Sequence, residues 1–317
     1  MNNSLLSRFR SELELIAVIL LWGINFPLIK VILEVMPPHV LNLFRIVSAG
    51  LVLSFIQLRR SNWSVSAFWA PFRSDPKAFL IISLVGWVLY QIAFISGLNI
   101  TSAGNGALIM ASSPIWTALL ARMMRVDRLS LLSWMGLIVS ILGTTEIVLM
   151  SSAEIRFTSD LMIGNGVVLL AAIFWGSYTA LTRPMVAKHT PLSLTVISLL
   201  LAIPVLILFA VPLWNETDWS KVTWLYWVAI FFSGSLSTGI AIVFWNNSVR
   251  KLGASHTAAF GNLVPLVALF ASYFMLGNEI VASQLIGGTL IIGGLVIMRW
   301  ARRRMQMSEL ISTTRIH

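Results

Sequence analysis

Five stretches of this chain, residues 161–182, 189–215, 222–249, 252–278 and 280–298, contain no Asp, Glu, Lys or Arg apart from their flanks, and a sixth, 78–121, is long enough for two such segments. A helix needs about 20 mostly apolar residues to cross the roughly 30 Å hydrocarbon layer of a bilayer. Charged residues make up 11% of the 317 and apolar ones 57%, against about 25% charged in a soluble domain. That leaves too little polar surface for a water-facing globule, and the fold class predicted is an all-α integral membrane protein.

Spans are expected at about 14–34, 39–58, 78–98, 101–122, 130–150, 162–182, 191–212, 223–246, 255–276 and 280–299, with tight turns at Pro37-Pro38, at 99–102 and at Gly277-Asn278. The net charge of +10 lies in the short connections and forms no single face, which argues against nucleic acid. Eighteen of the 22 Lys and Arg fall on one set of alternate connections and the two tails; Arg156 and Lys221 lie on the other, and Lys30 and Arg45 lie inside spans. By the positive-inside rule both termini are cytoplasmic. The first apolar stretch follows Arg8 and Arg10, but it lacks a small-x-small cleavage site and runs too long for a secretion signal. Residues 59–77, with Arg59, Arg60, Trp63, Trp69, Arg73 and Lys77, suit the cytoplasmic headgroup region as an interfacial anchor. Cysteine is absent, which removes disulfides, thiolate catalysis and Cys-based metal sites; no cofactor or metal is expected.

The two halves repeat one pattern. Trp22-Gly23 recurs as Trp175-Gly176, Pro114 as Pro265, Asp127 as Glu279, and Gly136 and Gly143 as Gly288 and Gly294, all at offsets of 151 to 153 residues. Residues 1–150 are read as a first five-helix unit and 151–317 as a second with a short basic tail. An odd number of helices makes the second unit enter from the opposite face, so the repeats are inverted around a central cavity, a common transporter architecture.

Residues 20–46 (LLWGINFPLIKVILEVMPPHVLNLFRI), 105–121 (NGALIMASSPIWTALLA) and 276–297 (LGNEIVASQLIGGTLIIGGLVI) resemble the EamA-type members of the drug/metabolite transporter superfamily. The family pattern of the first two helices is met by Trp22, Gly23, Phe26, Lys30, Pro37, Pro38 and Arg45; in the last pair Asn278 is an extra residue before Glu279. The resemblance implies ten helices, a cavity lined by the first, third, fourth, sixth, eighth and ninth, and export of amino acids or related metabolites from a bacterial cytoplasmic membrane. A small-molecule substrate and membrane lipid are the partners expected; oligomeric state stays open, with a monomer acceptable.

Candidate binding residues follow from what lipid penalises. Trp22, Asn25 and Phe26 in the first helix and Trp175, Tyr178 and Thr179 in the sixth combine rings with hydrogen-bonding groups, as a site for an amphipathic solute requires. Packing or interfacial belts are the plainer role for each ring. Trp87, Tyr90 and Gln91, then Asn105, Ser113 and Thr117, fall near mid-membrane, and Asn262 in the ninth helix joins them. The amides carry more weight, since an amide in hydrocarbon needs a partner, whereas Ser and Thr can satisfy themselves on their own helix. Arg45 lies about 10 Å below the outer interface at roughly 1.5 Å per residue, where an ionisable group pairs or lines a water-filled route. Glu146 is its expected partner by depth, and a substrate carboxylate the alternative. Lys30, with Glu34 one turn on, is a surface pair or a cation at the outer mouth. Pro114 and Pro265 predict mid-helix kinks that serve as hinges or fixed bends. Gly136, Ser140 and Thr144, with Gly287, Gly288, Gly293 and Gly294, predict close approach of the fifth and tenth helices in a scaffold or oligomer contact. His256, at the edge of the ninth span, reads as a solvated residue.

No G-x-S-x-G, H-E-x-x-H or P-loop is present, so an enzyme is not expected. A proton-coupled multidrug pump is the nearest competitor, but Glu14 sits at the membrane edge and no central acid is placed for it. A non-transporting membrane partner is the remaining class.

Overall fold

The computed structural model describes residues 3–100, 106, 109–127, 129–151, 159–276 and 282–314, and these contain helices and turns with no strand. Eight helices among them are long and apolar enough to cross a bilayer: Glu12–Leu33, Pro38–Arg60, Pro76–Ile100, Met162–Lys188, Pro191–Glu216, Trp224–Leu252, Ala254–Ala271 and Gln284–Met305, with Leu131–Ile147 a shorter apolar helix. The expected fourth span is described at Gly106 and from Ile109 onward. Asn105, the connection 152–158, and Asn278 and Glu279 lie outside the described residues, as do the side chains of Phe26 and Lys30.

In chain order the α-helices are α1 (Asn3–Leu33), α2 (Pro38–Arg60), α3 (Val65–Ser74), α4 (Pro76–Ser83), α5 (Tyr90–Ile100), α6 (Ser113–Met123), α7 (Leu131–Ser151), α8 (Ser159–Lys188), α9 (Pro191–Ala210), α10 (Trp224–Phe231), α11 (Ala241–Leu252), α12 (Ala254–Phe260), α13 (Val264–Leu276) and α14 (Ala282–Thr314). Starts follow local chemistry. Pro38 and Pro191 occupy first-turn positions of α2 and α9, where a missing N–H costs nothing. Ser64 and Thr190 cap α3 and α9 by accepting from the N–H of Ala67 and Ser193. Gly253, at φ +87°, turns the chain between α11 and α12. The Asp127 carboxylate, over a hundred residues away in sequence, accepts from the Ser255 N–H at 3.0 Å and caps α12.

Two spans are interrupted by π-helix. Leu84–Leu89 joins α4 to α5 within the span Pro76–Ile100, and Phe232–Ile240 joins α10 to α11 within the span Trp224–Leu252. Both interruptions carry glycines that admit a neighbour: Gly86 lies against the Tyr178 ring, and Gly234 against the Arg45 backbone. A Cβ at either would overlap that neighbour.

Helix contacts respect the repeat. α1 packs on α11 and α13, and its counterpart α8 packs on α5 and α6; α2 packs on the second π segment, and α9 on α4 and the first. Gly23 meets Val267 and the Ala268 backbone, while Gly176 meets Trp116, Thr117 and Ser113. α7 and α14 lie against each other through Gly136 with Gly294 and Gly143 with Gly287. The small-residue faces expected from the sequence therefore meet within one chain, as a scaffold pair.

Large apolar side chains such as Leu51, Leu131, Leu208, Trp224 and Phe274 are exposed around the bundle, a surface suited to lipid and unsuited to water. The amphipathic helix α3 buries Phe68 and leaves Val65 and the preceding Trp63 exposed, as an interfacial segment does.

Pro114 and Pro265, expected at mid-helix kinks, each stand just after an interruption of the helix, and two other expectations, on His256 and Arg45, are corrected. Pro114 stands in the first turn of α6 after the turn at 111–112, and Pro265 in the first turn of α13 after the 3-10 turn Gly261–Leu263. Proline removes a donor, and the chain places it where a new helix begins and needs none. His256 is buried, not solvated, because α12 is capped by Asp127 and packed on α6 and α8. Arg45 is not paired with Glu146, because its side chain is turned toward the second π segment.

Candidate functional site

Trp22 from α1, Trp175 from α8 and Trp245 from α11 converge, with ring centroids 5.5 Å (22 to 175), 5.1 Å (22 to 245) and 5.7 Å (175 to 245) apart. Tyr90 at the start of α5 extends the cluster at 5.0 Å from Trp175, and Tyr178 stacks on Trp175 at 5.3 Å. Trp87 closes edge-on against Tyr178 at 6.3 Å. Three indole N–H groups are satisfied within the bundle: Trp22 donates to the Ser237 carbonyl (2.8 Å), Trp87 to Ser198 Oγ (3.1 Å), and Trp245 to Thr179 Oγ1 (3.3 Å). These rings therefore present faces and edges, with their polar atoms already fixed.

A buried amide is bonded to this cluster. Asn246 Nδ2 donates to the Tyr178 hydroxyl at 2.8 Å and to Thr195 Oγ1 at 3.0 Å. Its Oδ1, like those of Asn25 and Asn262, is buried with no hydrogen-bond partner among the described residues. Asn262 also donates to Ser140 Oγ (3.1 Å), and its backbone carbonyl accepts from Thr144 (3.3 Å), tying the 3-10 turn before α13 to α7.

Arg45, 6% exposed, is a second buried polar centre. Its Nε donates to Ser233 Oγ at 2.7 Å, Nη2 to Thr238 Oγ1 at 2.9 Å and Nη1 to Asn42 Oδ1 at 3.4 Å. All three acceptors are neutral. Glu146 sits half-buried on α7, whereas α2 faces the second π segment and α9; the match in depth expected from the sequence does not bring the two helices together. A guanidinium has five N–H donors, and a buried cation bonded to neutral groups favours an incoming anion. The Tyr90 hydroxyl is within electrostatic range of it.

Of the residues expected from the sequence, Trp22, Trp87, Tyr90, Trp175, Tyr178, Thr179 and Arg45 are brought together. Asn25 and Gln91 are buried on helices that carry cluster members. Ser113 is half-buried at the start of α6 and its carbonyl accepts from Thr117 (3.1 Å). Thr117 thus satisfies itself locally. Trp245, Asn246, Ser233 and Thr238 are additions that sequence reasoning missed. A signal for them exists, since an amide pair at 246–247 and the run SGSLSTG at 233–239 stand in a charge-free span.

At the end of the bundle expected to be cytoplasmic, polar groups tie neighbouring helices together. Arg183 donates to the carbonyls of Val249 (2.8 Å) and Arg250, Asn247 donates to Glu14, and Arg250 to Asn247 (2.8 Å). Asp75, just before α4, meets His189 at 2.8 Å and Lys188 at 3.3 Å. Hydrogen bonds from His189 and then Lys188 hold its carboxyl below the usual carboxylate range. At the opposite end Asp218 is likewise lowered, by Ser220 and then Lys221.

The EamA-like transporter family model matches residues 10–149 and again residues 162–300. The chain belongs to the EamA-like transporter family. It is therefore a multi-pass membrane transporter. Among its relatives, the uncharacterized transporter YyaM of Bacillus subtilis (strain 168) is 29% identical over 224 residues, covering 71% of this chain and 73% of that one. A probable terminal-alkyne amino-acid exporter of Streptantibioticus cattleyicolor is 26% identical over 290 residues, covering 90% and 91%. A crystal structure 19% identical to this EamA-like chain superposes with a TM-score of 0.75, covering 93% of this chain and 98% of the other, and so shares its fold.

Proposed function

We propose that this transporter exports small carboxylate-bearing amphipathic metabolites, amino acids and their relatives, across a bacterial cytoplasmic membrane. The observation that carries the reading is Arg45, a buried cation bonded to neutral groups, two of them on the π segment whose Ser237 carbonyl holds the Trp22 indole of the aromatic cluster. The guanidinium offers a carboxylate charge-assisted hydrogen bonds, and the rings offer apolar area and, for an ammonium, a cation–π surface. The name of the Streptantibioticus relative agrees with this chemistry.

The mechanism proposed is alternating access between two inverted five-helix units, with both termini cytoplasmic. It draws support from the family model matching twice, the exchanged helix contacts, and a π segment within a span of each unit.

The test is export. Cells overexpressing the chain, and cells lacking it, are compared for amino acids and analogues in the medium and cytoplasm, and for tolerance to them. At least one carboxylate-bearing compound should shift outward with the native chain. Arg45→Gln at equal expression should lose most of that flux, and Arg45→Lys should recover only part, since an ammonium lacks the planar fork. Unchanged pools and tolerance would remove the amino-acid reading.

A further inference from the structure

The Arg45 guanidinium ends on the two residues that close a π turn. Thr238 Oγ1 donates to the Ser233 carbonyl at 2.9 Å, five residues back, and the same oxygen accepts from Arg45 Nη2 at 2.9 Å. The Ser233 hydroxyl accepts from Arg45 Nε at 2.7 Å. Between them Gly234 lies against the Arg45 carbonyl, so α2 and the π segment touch through backbone at the same level. The segment is also tied to the aromatic cluster: Ser237 accepts from the Trp22 indole through its carbonyl and donates its hydroxyl to the Leu21 carbonyl at 3.1 Å. π turns are rare and concentrate at functional sites.

We propose that Ser233 and Thr238 are positioning residues that hold Arg45 while no substrate is bound, and that a substrate carboxylate drawing the guanidinium away loosens the π segment Phe232–Ile240. The proposal rests on the reading of Arg45 as the anion anchor. Its direction follows from bond strength. A carboxylate offers the guanidinium an opposite charge and a bidentate, parallel pair of bonds, which single neutral hydroxyl acceptors lack, so it displaces them. The span Trp224–Leu252 then loses a tie to α2 at its interruption, and binding is converted into freedom of the helix that also carries Trp245 and Asn246. A ligand moves such an equilibrium only by its differential affinity for the two states, and competition for one guanidinium supplies that difference.

The test uses full-length protein in lipid nanodiscs, with a pool of the twenty proteinogenic amino acids and a matched pool of their primary amides as probes. Thermal stability reports binding, and hydrogen exchange at residues 232–240 reports the segment. The amino acids, and not the amides, should stabilise the protein while raising exchange at 232–240. Thr238→Val should show raised exchange without ligand and bind the carboxylate about tenfold more tightly, a change the size of one hydrogen bond to a charged group; Thr238→Ser should restore native behaviour. A purely structural Thr238 would instead lose affinity on substitution. Carboxylate binding with no change at 232–240, or weaker binding by Thr238→Val, overturns the proposal and leaves the anchor intact. If no pool member stabilises the protein, Arg45 is not a carboxylate anchor and the proposal falls with that reading.

Discussion

Asn246 shows how much a single side chain decides when water is absent. Its amide joins α11 to the Tyr178 hydroxyl of α8 and to Thr195 of α9, tying three helices together. Asn246→Leu leaves the phenol and the threonine without that donor, and each unsatisfied group costs about 1–3 kcal/mol in protein interiors, less where other partners are within reach. The expected result is a loss of about 1–2 kcal/mol, read as a lower melting temperature in detergent, with transport falling alongside. The reasoning that singles out Gln91 and Asn105, that an amide in hydrocarbon demands a partner, applies equally to Asn246. Trp22 and Trp175 are legible because they recur in the repeat. Trp245 has no tryptophan counterpart in the first half, and it joins the cluster only because α11 packs against both α1 and α8.

At the scale of the helix, glycine separates contact from mere composition. The carbonyl of Gly287 stands where a Cβ on Gly143 would go, with the Ile291 N–H nitrogen 2.7 Å from the same point, while nothing lies within 4 Å of a Cβ on Gly293. Gly143→Ala should therefore push α7 and α14 apart and lower stability, by about 1–3 kcal/mol as overpacking does. Gly293→Ala should be neutral or stabilising by up to about 1 kcal/mol through helix propensity. Parallel thermal melts of the two variants check both; equal effects would mean that the helices are not in backbone contact. From the sequence Gly293 belongs to the small-residue set expected at the contact, and Gly143 enters only as a repeat match to Gly294. Helix rotation about its axis, set by the neighbours, sorts them.

For the whole molecule, orientation is the quantity that charge counting and helix pairing both address. The chain lacks cysteine, so single cysteines report without a background. Ser220→Cys, in the connection after α9, should react with an impermeant maleimide in intact cells, and Ser74→Cys, at the end of α3, only after lysis. Reaction of both from one side would end the inverted arrangement and the alternating-access mechanism with it.

Membrane class and the approximate position of most spans were decided by sequence alone. In lipid, hydropathy is a local property of each segment. Tertiary structure alone decided which groups meet between spans. Arg45 and Glu146, expected to pair by depth, sit on helices that do not face each other, while Ser233 and Thr238 reach Arg45 because a π turn brings both hydroxyls to the same side. Contacts of that kind depend on the rotation, register and interruption of neighbouring helices, which no one-dimensional spacing encodes.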